Sequence, residues 1–576
     1  MNVLGITDGM TGGAAVIVDG KIAAAVSEER LVRKKMAIGF PEKAINEVLS
    51  LSGVEVSDID YIAIAGKRDH FYYPPKVWNG WFQEDRGFLK ELVLKIASYF
   101  VDLIGDNTFF QWCYYQLKLP YALNRRRKVR KFLKKLWHFK CPIIFIDHHY
   151  SHATAAYFTS GFNKATVVSV DGGGDGYSSK IYKVNNGNFT EITGVSSYNS
   201  IGNFYAYVTH LCGFKAHKHE GKITGLAAHG NPKYKELLEG FITFKNGTIV
   251  NRSRSFYYSS LSKLAKSLPK GFKREDLAGS MQKHLEDVVS KYVHTWVEDS
   301  GYSDVALVGG VFANVRLNQE INNLDNVNNV FVFPGMGDEG LAVGAAYALW
   351  AEKIKEKGKK ALPYKPVNVY FGRGFSNDEI RAELDKENLT YIHYDDIESE
   401  IAKLLAEGHV VARFEGDMEY GPRALGHRSI LYQATDPTVN DWLNKKLERT
   451  EFMPFAPVTL EEYVEKCYKN IKGGLHTARF MTITFDCTEW MQKNCPAVVH
   501  IDGTARPQIV NKELDGGYYR IVDEYRKITG LPSIINTSFN MHEEPIVCTP
   551  YDAIRAFKLG HLEYLAIGNY LVKSVE

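Results

Sequence analysis

The chain has no Cys-x-x-Cys pair; its seven cysteines are scattered and odd in number. That argues against a disulfide framework or a thiolate zinc site and reads as a reduced, cytosolic protein. Long hydrophobic runs are missing too. The longest mostly apolar stretch, Leu92 to Gly105, carries Lys95 and Asp102 and is too short to span a bilayer. The start, Met1 to Ile6, runs into a strand without a charged leader and cleavage site, so a cytoplasmic protein with no integral membrane segment is expected. Charge of one sign is scarce as well. Seventy Lys and Arg against 67 Asp and Glu leave +3, which predicts no nucleic-acid partner for the molecule as a whole.

What is present is a large apolar inventory, 45% hydrophobic and 13% aromatic, over 576 residues. That is too long for one core, so two or more domains are expected. Residues 2–26 read as strand, Gly-containing bend, strand, an Asp19-Gly20 turn and strand. Residues 165–192 repeat the plan, with Asp171-Gly172-Gly173-Gly174-Asp175-Gly176 as the bend and Asn186-Gly187 in the turn. Glycines let backbone N–H groups face phosphate oxygens, and an Asp in the bend can hold a metal or water. A third element, Val305 to Asn314, is a strand entering Gly309-Gly310 and then a helix.

Asp147-His148-His149-Tyr150-Ser151-His152 follows the strand Pro142–Ile146 and opens a helix through Tyr157. His148 and His152, four apart, share a helical face, the spacing by which two imidazoles hold one ion, although capping or core histidines read the same way. Asp338, ahead of a small-residue helix, offers a third ligand. Two His and a carboxylate leave open positions and suit iron or zinc. In Glu220-Gly221-Lys222, Lys222 reads either as a cation for a nucleotide phosphate or a substrate carbonyl oxygen, or as a solvated surface lysine.

Near the end, Met418–Ser429 with Arg423 and Arg428, His500–Arg506, and Asn536–Asn540 with Ser538 set Arg, or Ser with Asn, among glycines, which is chemistry for phosphate-bearing small molecules. These blocks, with the metal and Gly-Gly motifs, resemble the O-carbamoyltransferases, the family of NodU and tobramycin carbamoyltransferase, over nearly the whole chain. The resemblance implies an α/β fold: a duplicated actin-like (ribonuclease H-like) domain over 1–355, then an α/β YrdC-like domain over 366–576, joined by the charged run Glu352–Lys360. It implies nucleotide contacts at Asp171, Gly172, Gly173, Asp175, Gly309, Gly310 and Asn314, and a metal at His148, His152 and Asp338, with His149 structural. In the second domain it implies a carbamoyl phosphate and ATP site at Arg423, Arg428, Lys446, Arg449, Arg506, Ser538 and Asn540. Implied cofactors are ATP with Mg and the iron or zinc ion, the implied partners carbamoyl phosphate and a hydroxyl-bearing glycan or small molecule; a homodimer is left open.

The implied reaction makes carbamoyl-adenylate and passes the carbamoyl group to a hydroxyl. A tRNA threonylcarbamoyl-adenosine enzyme and a non-catalytic nucleotide-binding regulator are the rivals. Relatives carry a His-Asp pair in the first bend where this chain has Thr11-Gly12; threonine is no base near neutral pH, so Asp8 is the nearest replacement, unless it is only a turn residue. The segment Lys446–Pro454 is also one residue shorter than the family's. The aromatic insertion at about 67–140 ends in nine Lys or Arg, without an acid, between Arg125 and Lys140. It reads as a packed helical insertion with a solvated face, or as a surface for a membrane or a phosphorylated acceptor; the expectation carried forward is an acceptor site for an anionic glycan or nucleotide-sugar.

Overall fold

The structure is a computed structural model that describes residues 1–68, 71–82, 88–448 and 452–574. Three antiparallel strands, β1 (Asn2–Thr7), β2 (Gly13–Val18) and β3 (Lys21–Ser27), are followed by β4 (Tyr61–Ala65). Two long helices, α1 (Phe88–Ile104) and α2 (Thr108–Trp137), then interrupt the sheet before β5 (Ile143–Ile146) and α3 (His148–Ser160). The sheet order is β3-β2-β1-β4-β5, with β4 and β5 parallel to β1.

The second sheet repeats this plan. β6 (Lys164–Gly174), β7 (Tyr177–Asn185) and β8 (Asn188–Ser196) are antiparallel, and β9 (Asp304–Val308) and β10 (Asn329–Val332) join in parallel, giving β8-β7-β6-β9-β10. The duplicated, actin-like α/β plan expected from sequence is therefore present. Both hairpin turns take the paired left-handed conformation that Asp-Gly and Asn-Gly favour: Asp19 and Gly20 at φ 48° and 85°, Asn186 and Gly187 at 47° and 76°. The second bend differs from the sequence expectation. Strand β6 does not end at Val170 but runs on to Gly174 with a register shift, so Asp171–Gly173 form an unpaired bulge.

The apolar core between the sheets holds α3 and α7 (Leu341–Glu356). They cross so closely that a Cβ on Gly344 would lie 1.7 Å from the Ser151 carbonyl oxygen; no residue larger than glycine fits. Helix α7 ends at Glu356, and the chain to Asn368 has no helix or strand. The third sheet is mixed and eight-stranded. Its strands are β11 (Tyr391–His393), β12 (Val411–Phe414), β13 (Arg428–Gln433), β14 (Ala456–Leu460), β15 (Gln508–Val510), β16 (Ser533–Ser538), β17 (Tyr564–Ile567) and β18 (Tyr570–Lys573). They lie in the order β11-β18-β17-β12-β13-β16-β14-β15, with an apolar cluster on either face.

Candidate functional site

The start of α3, the bulge after β6 and the turn before α7 converge on one point. The His148 and His152 Nε2 atoms lie 3.3 and 3.2 Å from Asp171 Oδ2, and 3.7 and 3.6 Å from Asp338 Oδ1. All four donor atoms fall within 4.8 Å of one another. Donors bound to one ion at about 2.1 Å stand about 3.0–3.4 Å apart, so the two imidazoles and two carboxylates fit a divalent cation of the iron or zinc kind. Asp147 caps α3, accepting the Tyr150 N–H at 3.0 Å, and this orients the first turn. His149 faces away: its ring nitrogens lie 2.7 Å from Ser169 Oγ and 2.9 Å from the Tyr177 carbonyl oxygen, and burial pulls its pKa to about 3. For His152 burial works the other way from the two carboxylates, and hydrogen bonds to Asp171 and Asp338 win, raising its pKa. Burial would lift the Asp171 carboxyl, but the two histidines hold it well below the ordinary range. A cluster that keeps a proton between its carboxylates exchanges that proton for a cation.

A cavity of about 740 Å³ opens beside the cluster, lined by Asp171–Gly176, Gly310, Asn314 and Asp338. Among the described residues that line it, the one imidazole is His217, which the sequence reading did not select. His217 has a left-handed backbone (φ 61°) and its ring lies 3.9 Å from that of Trp81; a Cβ on Gly172 would come within 2.9 Å of its Cε1. Burial lowers its pKa to about 4, which keeps the ring neutral. Glu220 and Glu339 also line the cavity, and burial raises both to about 7. No spacing marked these three; they meet only in the fold.

The third-sheet region reaches this same cavity. Pro422 and Arg423 line it, and the Tyr420 hydroxyl donates to the Glu339 carbonyl. The Arg423 loop owes its shape to Glu419, one of whose carboxylate oxygens accepts the N–H groups of Leu425, His427 and Arg428 at 2.9, 2.9 and 3.0 Å. Strand register brings this loop, Ser538 at the end of β16 and Arg506 just before β15 to one end of the sheet.

Several expectations need correction. Asp8 is fully buried and paired with Arg125 of α2, whose Nε donates to it at 3.0 Å, so no free base stands there. Asp171 joins the histidines and is not solely a nucleotide contact. The Asp175 carboxylate accepts the N–H groups of Lys67 and His148 at 2.9 Å and ties loops together. Lys222 is buried, not a solvated surface lysine, with its ammonium 6.0 Å from the Phe214 ring, and it does not line the cavity. Arg428 is fully buried over Phe414 and donates to the backbone carbonyls of Glu415, Gly416 and Arg373. Lys446 donates to the His561 carbonyl at 3.2 Å, and the Asn540 amide closes its own turn onto Met541 and Glu544. Gly309 (φ 101°) packs on β6, while Gly172, Gly173, Gly310 and Asn314 line the cavity. Arg449 lies outside the described residues.

A metal-type cluster between duplicated sheets, with an arginine loop from the third sheet at its cavity, is an arrangement suited to group transfer. The chain matches the profile "Carbamoyltransferase N-terminus" over residues 2–347 and "Carbamoyltransferase C-terminus" over 402–574, and it belongs to the carbamoyltransferase family. It is 31% identical to nodulation protein NolNO of Sinorhizobium fredii over 98% of this chain and 79% of that protein. An uncharacterised protein of Methanocaldococcus jannaschii is 31% identical over the full length of both chains, and one of Synechocystis sp. is 31% identical over 97% of this chain and 94% of its own.

Proposed function

We propose that this carbamoyltransferase uses ATP to make carbamoyl-adenylate and transfers the carbamoyl group to a hydroxyl. The supporting observation is one cavity lined both by Arg423 and by Asp171 and Asp338, the two carboxylates of the cluster with His148 and His152. The region 366–576 is assigned the YrdC-like, adenylate-forming role and 1–355 the transfer role. At the end of the third sheet, Arg423, Arg506 and Ser538 would hold carbamoyl phosphate and the ATP phosphates. Water hydrolyses carbamoyl phosphate to carbamate and phosphate; a carbamate oxygen then attacks the ATP α-phosphorus, and pyrophosphate leaves with the bonding pair.

The adenylate then meets the acceptor in the cavity. Gly172, Gly173, Gly310 and Asn314 would seat the nucleotide, and Arg423 would bind its phosphate. His148, His152, Asp171 and Asp338 would hold an iron or zinc ion, whose chemistry is to polarise a carbonyl. The acceptor oxygen attacks the carbamoyl carbon, the carbon–oxygen bond to the adenylate phosphate breaks, and AMP departs. His217, neutral and facing the cavity, takes the hydroxyl proton in place of the histidine that Thr11 replaces. The test is pyrophosphate release from ATP, metal and carbamoyl phosphate without acceptor. Release that requires carbamoyl phosphate is expected; bound ATP without release would overturn the reading in favour of a nucleotide-binding regulator.

A further inference from the structure

Helix α1 is amphipathic with its apolar face outward. Leu92, Val93, Ile96, Tyr99, Phe100 and Leu103 are 42–84% exposed. At 100° per residue they fall within an arc of about 120°. The opposite side of the helix is the one held by the protein. Ser98 is buried, Val101 lines the cavity, and Asp102 accepts the Phe256 N–H and the Ser259 hydroxyl at 2.8 and 2.7 Å. Helix α2 exposes Leu117 and Tyr121 on one side, with Leu119 and Leu123 exposed on the other. Its remaining turns carry the run of cations from Arg125, of which Arg127, Lys128, Arg130, Lys131, Lys134 and Lys135 are exposed. No helix among the described residues is long and apolar enough to cross a membrane.

We propose that the α1–α2 hairpin docks the enzyme onto an anionic lipid bilayer, lying in its interface without spanning it. An exposed face of Leu, Phe and Tyr side chains, followed in the chain by a cationic, acid-free helix, is the pairing that enters the headgroup boundary of such a surface. Charge decides between this occupant and a second copy of the chain. Self-association through the hairpin would bring two cationic runs with no acid of their own to one contact, whereas anionic headgroups neutralise them. The hairpin also forms the cavity wall, through Val101, Tyr115 and Lys118. A bilayer-seated hairpin therefore holds the cavity at the lipid surface. On the carbamoyl-transfer reading above, the acceptor class is then a hydroxyl carried on an amphiphile.

The test is co-sedimentation of the full chain with phosphatidylcholine vesicles, with and without about 30% phosphatidylglycerol. Three proteins are compared: wild type, the I96S/F100S/L103S variant and the R127E/K131E/K134E variant. Binding to the anionic vesicles is expected, falling at least ~10-fold in either variant and on raising salt from ~0.05 to ~0.5 M. Acceptor-free pyrophosphate release, helix content by circular dichroism and the thermal unfolding midpoint should be unchanged in both variants, the last two showing that the inserted helices still fold. No vesicle binding, or binding indifferent to both variants, overturns the proposal. So does a wild-type dimer that the apolar variant converts to monomer without any lipid affinity. Vesicle binding without pyrophosphate release in any of the proteins would sink the adenylate chemistry and leave the docking surface standing.

Discussion

The first bend of each sheet occupies the same topological position, yet the two carry their aspartates to opposite fates. In the first sheet Asp8 is sealed under Arg125, a residue 117 positions away on the inserted helix α2, which also donates to the carbonyls of Ala65 and Gly66. In the second sheet Asp171 sits in an unpaired bulge, within reach of two histidines from α3 and beside a cavity. Duplication reproduces the bend; the neighbour that arrives later in the chain decides whether the carboxylate is structural or chemical.

The largest expected effect comes from breaking the second bend. Asp171→Asn removes one anionic ligand without changing side-chain volume. Carbamoyl transfer should fall by about 10³-fold or more, with metal content down at least ~10-fold by elemental analysis. Acceptor-free pyrophosphate release should persist, because the proposed mechanism places it in the third-sheet region. Transfer at near wild-type rate with full metal content would show the second bend to be no more chemical than the first.

The first bend should break differently. Asp8→Asn leaves the Arg125 guanidinium buried without its counter-charge, a change that costs about 3–5 kcal/mol. Denaturant unfolding should show that loss, and the D8L/R125M pair should recover much of it, since removing both charges removes the desolvation problem. Transfer per folded molecule should stay within about threefold of wild type. A D8N protein of normal stability and no transfer would restore Asp8 as the base and remove the contrast between the bends.

How much of this was legible beforehand follows from how local each signal is. The duplicated strands and both Gly-containing turns are nearest-neighbour patterns, and they appear where the residues indicated. The His148 and His152 pair was legible because four residues make about one helical turn, and Asp338 because the family resemblance marked the carboxylate before that small-residue helix. Asp171 was singled out for its Gly-rich company, but its histidine partners are 19 and 23 residues away, and only the fold shows which way it faces. Arg428 misled for a physical reason. An arginine shortly after a glycine turn suits a phosphate and suits a cage of backbone carbonyls equally well, and burial decides between them. His217, Glu220 and Glu339 left no periodic trace at all.

The smallest effect sharpens the contrast through pH. Glu220 accepts the His217 N–H beside the second bend, and burial raises its pKa from 4.5 to about 7. Its folded pKa therefore exceeds its unfolded one, so folding binds a proton. The stability it contributes is fully present below about pH 4.5 and is lost as pH rises through about 7. Glu220→Gln keeps an oxygen for the His217 N–H and abolishes the titration. The variant should match wild type near pH 5 and exceed it by about 1–3 kcal/mol at pH 8, with a flatter dependence of melting temperature on pH between. The analogous change at Asp8 destabilises instead, because it leaves the Arg125 guanidinium buried without its partner. Parallel loss of stability at pH 8 in both variants would mean that Glu220, like Asp8, works as a paired structural anion, and that the two bends differ less than their surroundings indicate.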